Sequence, residues 1–569
     1  MRRVYRFIAL FFFLSCAASA ANSPYERLVI VGTNDVHGYI RTKENRLGDA
    51  TVLAGGADWF AGYVNILKKK YGDRLILLDG GDIFQGTLES NPFQGESLIK
   101  IYNELPYRAA AIGNHEFDYG PIKRGDKDRK GAIKARMREA KFPFLSANTY
   151  YRGTKKVWKE INLFPSTLFT AQGFKIGVVG LTTESTKIKT NPLNIKDLEF
   201  GDLVNAAKRE AEKLRHAGAT IIIAVMHEGG HEAGQPVAQM LKQLPKGTLD
   251  AIVAGHTHQL EATEVEGVPI IQSGSRGFYF GRIDLFVNKK TGKVAPKFTK
   301  IYEPHPICGN WLAHSDTCDP RNLANPNSEL LLRSAMYEGE RVARDTKITQ
   351  IMKPYLESAD KIRGEVLGHA NGKCAAYESG ETDVGILFTQ AFHNRYPSAR
   401  VVYLNGGGFR RSIEPGPFTF GDLYEINPFD NFVVEVEMTG KQLKKLIRIG
   451  ASGAHRIPAI YGVNFSYKKS GKKDDMNGDG HFDPWETDRI VSIAWDGGVP
   501  VMDNEKIRVV TTDYLVAGGD SMDQVFNAIP ASKKTFDDIF QRDVMADYLR
   551  KNPKLPIPLP YKPHISLAR

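Results

Sequence analysis

The sequence predicts an α/β protein of two domains, and three observations support that expectation. Five short apolar runs, Leu28 to Gly32, Leu75 to Leu78, Ala109 to Ile112, Ile221 to Met226 and Ala251 to Ala254, are continuous rather than alternating, with helical stretches between them. Runs of that kind are strands buried on both faces of a largely parallel sheet. Each run also ends in residues able to bind metal: Asn34-Asp35-Val36-His37, Asp79-Gly80-Gly81-Asp82, Gly113-Asn114-His115-Glu116, His227-Glu228 and Gly255-His256-Thr257-His258. Ligands of open α/β sheets sit beyond the carboxyl ends of the strands, so five strand ends would converge on one crevice. The third observation is length: 569 residues exceed what one core organises, and two large domains with a connector are expected.

In chain order, the first element is a targeting segment. Arg2, Arg3 and Arg6 precede an apolar stretch, Phe7 to Leu14, and Ala18-Ser19-Ala20 offers small residues for cleavage before Ala21. The stretch is too short to span a bilayer, and no other segment approaches transmembrane length. Residues 1–20 therefore read as an export signal, for a periplasmic, cell-surface or extracellular product. Phe13-Leu14-Ser15-Cys16 supports a competing reading, a lipid anchor at Cys16.

The first domain is expected from Tyr25 to Glu303, closing with the strand-like Gly281 to Val287. A linker over 304–360 contains Cys308 and Cys318, which flank a loop-like segment and would pair in an oxidising compartment, leaving Cys374 over. A helix from about Ser328 to Ala359 completes the linker, and the second domain fills 361–569.

Composition is that of an ordinary globular chain, 42% hydrophobic and 25% charged, and excludes wholesale disorder. The formal charge is +11, to which Arg2, Arg3 and Arg6 contribute three. Basic residues cluster at Lys123 to Lys141, where they alternate with Asp, Gly and Ala. Without stacking aromatics or a recognisable module, that cluster suits attraction of small anions rather than nucleic acid.

The strand ends bring together Asp35, His37, Asp82, Asn114, His227, His256 and His258, with no Cys among them. Such ligands suit Zn, Mn, Fe, Co or Ni. Seven are too many for one tetrahedral ion and suit two ions sharing a carboxylate. Two-metal sites, with ions about 3.5–4 Å apart, hydrolyse phosphate esters by activating water for in-line attack at phosphorus. Any one of these residues could be a simple cap after a strand. All five ends on one pattern argue for a site.

Gly32-Thr33-Asn34-Asp35-Val36-His37-Gly38, Gly80-Gly81-Asp82, Gly113-Asn114-His115-Glu116-Phe117-Asp118 and Gly255-His256-Thr257-His258 resemble the calcineurin-like metallophosphatase signature. Asn405-Gly406-Gly407-Gly408-Phe409-Arg410 and Ala517-Gly518-Gly519-Asp520 resemble the C-terminal domain of the 5'-nucleotidases. In that order the two point to the 5'-nucleotidase/UDP-sugar hydrolase family. The resemblance implies a four-layer-type metallophosphatase sandwich joined by a helix to a mixed α/β substrate-binding domain, with hinge motion delivering substrate to the metals. It also implies that Asp35, His37 and His258 hold one metal, that Asn114, His227 and His256 hold the other, and that Asp82 bridges them.

His115 would then not be a ligand. Asp118, three residues on, lies within reach on one helical turn, where it would orient the ring and favour its protonated form. The pair would stabilise the transition state or protonate the leaving oxygen. By the same resemblance Asn405 and Arg410 bind the nucleotide, beside the close-approach turn at Gly407 and the acidic Asp520. Phe429 and Tyr514 match two aromatic positions that sandwich a base. One departure stands out: an Arg expected just before Thr382-Asp383-Val384-Gly385 is replaced by Tyr377-Glu378-Ser379-Gly380-Glu381, and the usual Asn appears as Asp383. That acidic neighbourhood would repel a phosphate unless something compensates.

Asp475 to Glu486 matches the twelve-residue calcium loop, with Asp475, Asn477, Asp479, His481, Asp483 and Glu486 at the ligand positions and Gly480 at the sharp turn. Its flanks look like hairpin strands, so a structural calcium ion is expected rather than a sensor pair. The reading as a whole is an exported dinuclear phosphoesterase acting on nucleoside 5'-monophosphates or related nucleotides. Alternatives are 2',3'-cyclic nucleotides, UDP-sugars or thiosulfohydrolase-type conjugates as substrates. A catalytically silent surface protein that binds nucleotide and calcium is the reading of a different class, and a pure binder has no need of His115, Asp118 and seven ligands.

Overall fold

The computed structural model describes residues 23–568 apart from 48–49, 124, 233–234, 313–314, 320–331, 377–379, 478 and 562. The leader with Cys16, and Glu378, lie outside the described residues.

The first half holds two facing sheets. One has seven strands in the order Lys300–Pro306, Tyr279–Asn288, Tyr25–Thr33, Leu75–Asp79, Tyr107–Ala111, Phe144–Leu145 and Leu163–Phe164. The other has six, in the order Leu260–Val265, Val268–Ser273, Ala251–Val253, Ile221–His227, Phe174–Thr182 and Ser166–Ala171. Alternation along one strand shows why the runs are apolar throughout. Leu28 and Ile30 pack with Ile223 and Val253 between the sheets, while Val29 and Val31 pack with Tyr63 and Leu67 of helix Ala57–Tyr71 on the outer face. Ile222 and Ala224 of the second sheet meet Ala207, Leu214 and Leu241 of helices Leu203–His216 and Pro236–Gln243. Helix, sheet, sheet, helix is the four-layer sandwich that the sequence implied.

Tyr25–Thr33, Leu75–Asp79 and Tyr107–Ala111 pair in parallel, as do Phe174–Thr182, Ile221–His227 and Ala251–Val253. Their carboxyl ends therefore share one edge, with Thr33 level with Asp79 and Thr182 level with His227. Glycines leave room for the sheets to approach. A Cβ on Gly180 would lie 2.2 Å from Leu145 Cβ, and one on Gly32 would lie 2.7 Å from Val253 Cγ1.

A Cys308–Cys318 disulfide links the start of the connecting segment, and Cys374 is a buried free thiol. The helix expected from about Ser328 begins only at Thr346 and runs to Arg363, capped by the Asp345 carboxylate accepting from Ile348 N–H at 2.9 Å. Ahead of it lie short strands, Leu332–Ser334, Met336–Tyr337 and Glu340–Arg341. Glu338 at φ 51° and Gly339 at φ 86° form the two-residue hairpin turn between the last two. A pair of left-handed residues breaks a helix and suits a hairpin, which apolar spacing alone does not reveal. The helix packs Ile348, Met352 and Tyr355 into the first-half core, and Ala359 against Leu88 and Tyr424. Buried Glu89 accepts from Arg41 and Arg363, and Glu425 accepts from Arg363 and Arg411, so ion pairs bind first half, connector and second half together.

The second half has a five-stranded mixed sheet in the order Ala459–Tyr461, Val401–Leu404, Lys506–Thr512, Phe432–Thr439 and Lys534–Phe540. Helices Asp383–Arg395 and Gln541–Lys551 cover one face through Phe388, Phe392 and Val544, and helix Gly440–Gly450 covers the other through Leu443 and Leu446. A further sheet of three strands includes the hairpin Asn464–Lys473 and Thr487–Ala494, whose tip is the 475–486 loop. The flanks are strands, as expected.

Replacing Gly180 by Ala should push the sheets apart and lower stability by about 1–3 kcal/mol, as overpacking does. The check is a lower urea midpoint at unchanged slope, and an unmoved midpoint would show that the sheets have room there.

Candidate metal centre and cavity

The seven expected residues meet at the shared strand edge. His258 Nε2 lies 3.1 Å from Asp35 Oδ1 and 3.0 Å from His37 Nε2. His227 Nε2 lies 3.0 Å from Asp82 Oδ2 and 3.2 Å from His256 Nδ1. Asp82 Oδ2 is also 3.9 Å from His37 Nε2, so this carboxylate stands between two groups, Asp35/His37/His258 and Asp82/His227/His256. Asn114 joins from the third strand end, its Nδ2 donating to Lys189 O at 3.3 Å.

Hydrogen bonds fix what these rings offer. His37 Nδ1 faces Gln85 O at 3.0 Å and His227 Nδ1 faces Gly80 O at 2.9 Å. A carbonyl only accepts, so each Nδ1 holds a proton and each Nε2 points inward, where it can present a lone pair to a cation. Those Nε2 atoms face other nitrogens and carboxylate oxygens; burial opposes a charge on His227, but Asp82 raises its pKa to about 10, so a divalent cation here would take the place of a proton. Asp35 Oδ1 and Asn114 Oδ1 are buried with no hydrogen-bond partner among the described residues. Divalent metals fit this donor set.

Local backbone aims the donors. Asp35, His37, Asp82, His256 and His258 all have left-handed backbone, with φ between 50° and 71°. Non-glycine residues hold that conformation only where the surroundings over-determine it. Here Asp35 N–H donates to Gly81 O at 2.9 Å and His37 N–H to Asp82 O at 3.0 Å, tying two strand-end loops together.

Two buried carboxylates brace these loops from beneath, and sequence motifs alone assigned them no role. Glu116 accepts from the N–H groups of Asp82, Ile83 and Gly113 at 2.7–2.9 Å. Burial and the Asp82 charge push its pKa up to about 8 against those donors. Asp79 accepts from Thr33 Oγ1, Gly81 N–H and Tyr102 OH, and burial pushes it up to about 7. Burial works against the charge on Asp82 too, yet His227 and His115 outweigh it and hold that carboxyl well below the usual range.

His115 stands beside the cluster. Its Nδ1 meets Asp118 Oδ2 at 2.5 Å, its N–H donates to Asp82 Oδ1 at 2.8 Å, and Thr190 Oγ1 donates to Asp118 Oδ1 at 2.6 Å. Burial opposes a charge on the ring, but Asp118 and Asp82 outweigh it and raise its pKa. His37, Asp82 and His115 also lie close enough to form a third possible metal set.

A cavity of about 850 Å³ opens at this point and draws its walls from both halves. All six expected substrate residues line it: Asn405, Gly407, Arg410, Phe429, Tyr514 and Asp520. The Phe429 ring is 5.8 Å from the His115 ring and 5.8 Å from the Arg410 guanidinium. The Tyr514 hydroxyl reaches Ile188 O at 2.9 Å and Asp520 Oδ1 at 3.1 Å. Lys189, Arg276, Asn431, His455 and Arg456 line it as well and had no motif to announce them, since distant segments bring them together.

The acidic segment does not face this cavity where it is described. Glu381 accepts from the N–H groups of His564 and Ile565 at 2.7 and 3.2 Å, which bolts the C-terminal strand down, and Asp383 accepts from Ala375 N–H at 3.1 Å. In the 475–486 loop, Asp475 accepts from Asp479 and Gly480 N–H, Asn477 from Asp479 N–H, Asp479 from His481 N–H, and Glu486 from Asn477 and Asp483 N–H. Gly480 takes φ 81°. Among the described residues no three of the loop's carboxylates converge as the ligands of the first half do.

Residues 28–260 match the calcineurin-like phosphoesterase family, and residues 361–528 match the 5'-nucleotidase C-terminal domain. The chain is similar to the protein UshA of Yersinia enterocolitica, 27% identical over 83% of this chain and 82% of that protein. It is similar to a 5'-nucleotidase of Vibrio vulnificus, 27% identical over 94% of this chain and 92% of that protein. The crystal structure of a 5'-nucleotidase precursor from Thermus thermophilus has the same fold, with a TM-score of 0.76 at 22% identity over 96% of this chain and 100% of that one.

Chelation should lower the melting temperature, and re-adding Mn or Co should restore it. At a hundredfold excess over Kd, linkage gives about 2.7 kcal/mol. Asp82→Ala should abolish the recovery on adding Mn or Co; a wild-type melting curve indifferent to chelation and to those ions would remove the cluster as a metal site.

Proposed function

Because the chain belongs to the 5'-nucleotidase family, a calcineurin-like phosphoesterase domain followed by a 5'-nucleotidase C-terminal domain, we propose that it is an exported enzyme hydrolysing nucleoside 5'-monophosphates or related nucleotides to nucleoside and phosphate. One observation supports this most: a single cavity joins the Asp/His cluster to the wall formed by Arg410, Phe429 and Tyr514. Catalytic and recognition groups share one space.

In this reading Asp35, His37 and His258 would hold one divalent ion and Asn114, His227 and His256 the other, with Asp82 shared between them. When bound, the ions acidify a water and offset charge on the transferred phosphoryl group. His115 stays outside the ligand set. With Nδ1 engaged by Asp118, its Nε2–H is left to donate to a phosphoryl oxygen or to the leaving oxygen, and the Asp118–Thr190 pair keeps the ring turned and protonated. Arg410 supplies a planar fork for phosphate, Gly407 lets backbone approach closely, and Phe429 and Tyr514 hold the base.

A second reading, a UDP-sugar-type substrate, is favoured by size. The cavity of about 850 Å³ lies near the top of the usual range for small-molecule sites, about 300–1,000 Å³, and leaves room beside a mononucleotide. For the loop at 475–486 we propose a structural calcium ion, supported by the acceptor pattern around Gly480. Export rests on the leader sequence. No helix of the described residues is long and apolar enough to cross a membrane.

Phosphate release from AMP, other mononucleotides, ATP and UDP-glucose, with Mn or Co added, tests the reaction class, with 2',3'-cyclic AMP scored by its nucleotide product. Selective turnover of mononucleotides is expected, and cleavage of an aryl phosphodiester alone would overturn the nucleotide assignment. His115→Ala should lower kcat by about 10²–10⁴-fold at unchanged metal content; full activity would take His115 out of the mechanism. Added calcium should raise the melting temperature of wild type but not of Glu486→Ala, and equal curves would count against the loop.

A further inference from the structure

Arginines crowd the seam between the two halves, and those described so far have carboxylate partners. Arg41 donates to Glu89 at 2.7 Å, Arg363 to Glu89 at 2.7 Å and Glu425 at 3.1 Å, and Arg411 to Glu425 at 2.7 Å and Asp422 at 3.2 Å. Arg276 lies on the same seam and lines the cavity, yet no carboxylate stands within ion-pair distance of it among the described residues. Its Nη2 donates across the seam to Arg410 O, and its guanidinium lies 5.5 Å from the centre of the Tyr39 ring. Tyr39 offers only a ring face, since burial pushes its phenol up to about 12 and keeps it uncharged. The N–H groups on Nε and Nη1 have no partner among the described residues, and neither nitrogen is sealed from solvent.

The backbone holds this side chain in place against its own preference. Arg276 takes φ 62° in a turn where Gly274 has φ 64° and Gly277 has φ 63°. Glycine is at ease in that conformation and an arginine is strained, so the turn keeps a side chain here where its neighbours have none. Arg276 N–H donates to Asp35 O at 2.7 Å, which hangs the turn on the strand end that carries Asp35 and His37. Across the cavity, Arg410 stands 5.8 Å from the Phe429 ring, which is itself 5.8 Å from His115. A guanidinium partly withdrawn from water, with free donors and no counter-ion, is unfavourable until an anion meets it.

We infer that Arg276 is a further substrate-binding residue, donating through Nε and Nη1 to a phosphate oxygen from the first half while Arg410 approaches the same group from the second. The inference rests on the phosphate-ester reading above. A planar fork meets phosphate oxygens in pairs, so two guanidiniums on opposite walls orient the group as well as neutralise it. Arg276 thereby supplies, from the other half of the chain, positive charge that the segment before Thr382 lacks. Because it also holds Arg410 O, the grip on phosphate is complete only with the two halves apposed.

The test measures KM and kcat for a nucleoside monophosphate with wild type, Arg276→Gln and Arg276→Lys, together with competitive inhibition by inorganic phosphate and by the free nucleoside. Gln keeps an amide able to donate to Arg410 O but has no charge; Lys keeps the charge and loses the fork. Arg276→Gln should weaken inhibition by phosphate about 10- to 100-fold and raise KM alongside, while inhibition by the nucleoside stays within about twofold. Arg276→Lys should recover part of the loss. A residue that only ties the halves together would weaken phosphate and nucleoside alike, and that result overturns the inference. If wild type cleaves nucleotides and Arg276→Gln keeps the wild-type inhibition by phosphate, this inference falls and the nucleotidase reading stands. If wild type neither cleaves nucleotides nor is inhibited by phosphate, the phosphate-ester reading falls and this inference with it.

Discussion

The structure turns on the burial of Asp82. A carboxylate taken out of water must be surrounded by donors or positive charge, and this one is ringed by imidazole nitrogens whose own protons are committed to Gln85 O and Gly80 O. Such a cluster calls for positive charge among its members, a proton on His227 or a divalent cation. The parallel strand ends, the left-handed turns and the two carboxylates beneath, Asp79 and Glu116, all serve to keep mutually repulsive donors pointed at one space.

Much of this was legible in the sequence because its physics is local. Strands buried on both faces have to be apolar at every position, which is why Leu28 to Gly32 and Ile221 to Met226 announced themselves. Ligands at strand ends follow within a few residues and so appear as motifs. What the sequence concealed is long-range. Lys189, His455 and Asn431 come from separate segments and converge only in the folded chain. The hairpin at Glu338 and Gly339 displaced an expected helix because two left-handed residues outweigh apolar spacing. The acidic segment before Thr382 looked hostile to phosphate, yet Glu381 turns to the C-terminal strand, a partner more than 180 residues away.

The cavity belongs to neither half. Its floor is the strand edge of the first, and its far wall is the glycine turn, the aromatic pair and the His455 loop of the second. The ion pairs at Glu89 and Glu425 and the Tyr514 contact to Ile188 O are what register those surfaces against each other. In the proposed reading chemistry and recognition belong to separate cores, and the connecting helix, packed on both, fixes their alignment.

The five left-handed residues of the candidate metal centre bear on how such a protein could decay. Each holds a side chain where glycine would be at ease, at a cost of about 1–3 kcal/mol per residue. Mutations that destroy the centre by substituting glycine there would relieve strain and mutual repulsion together. The strain relieved would offset part of the stabilisation lost with the metals, so loss of activity need not be accompanied by loss of folding.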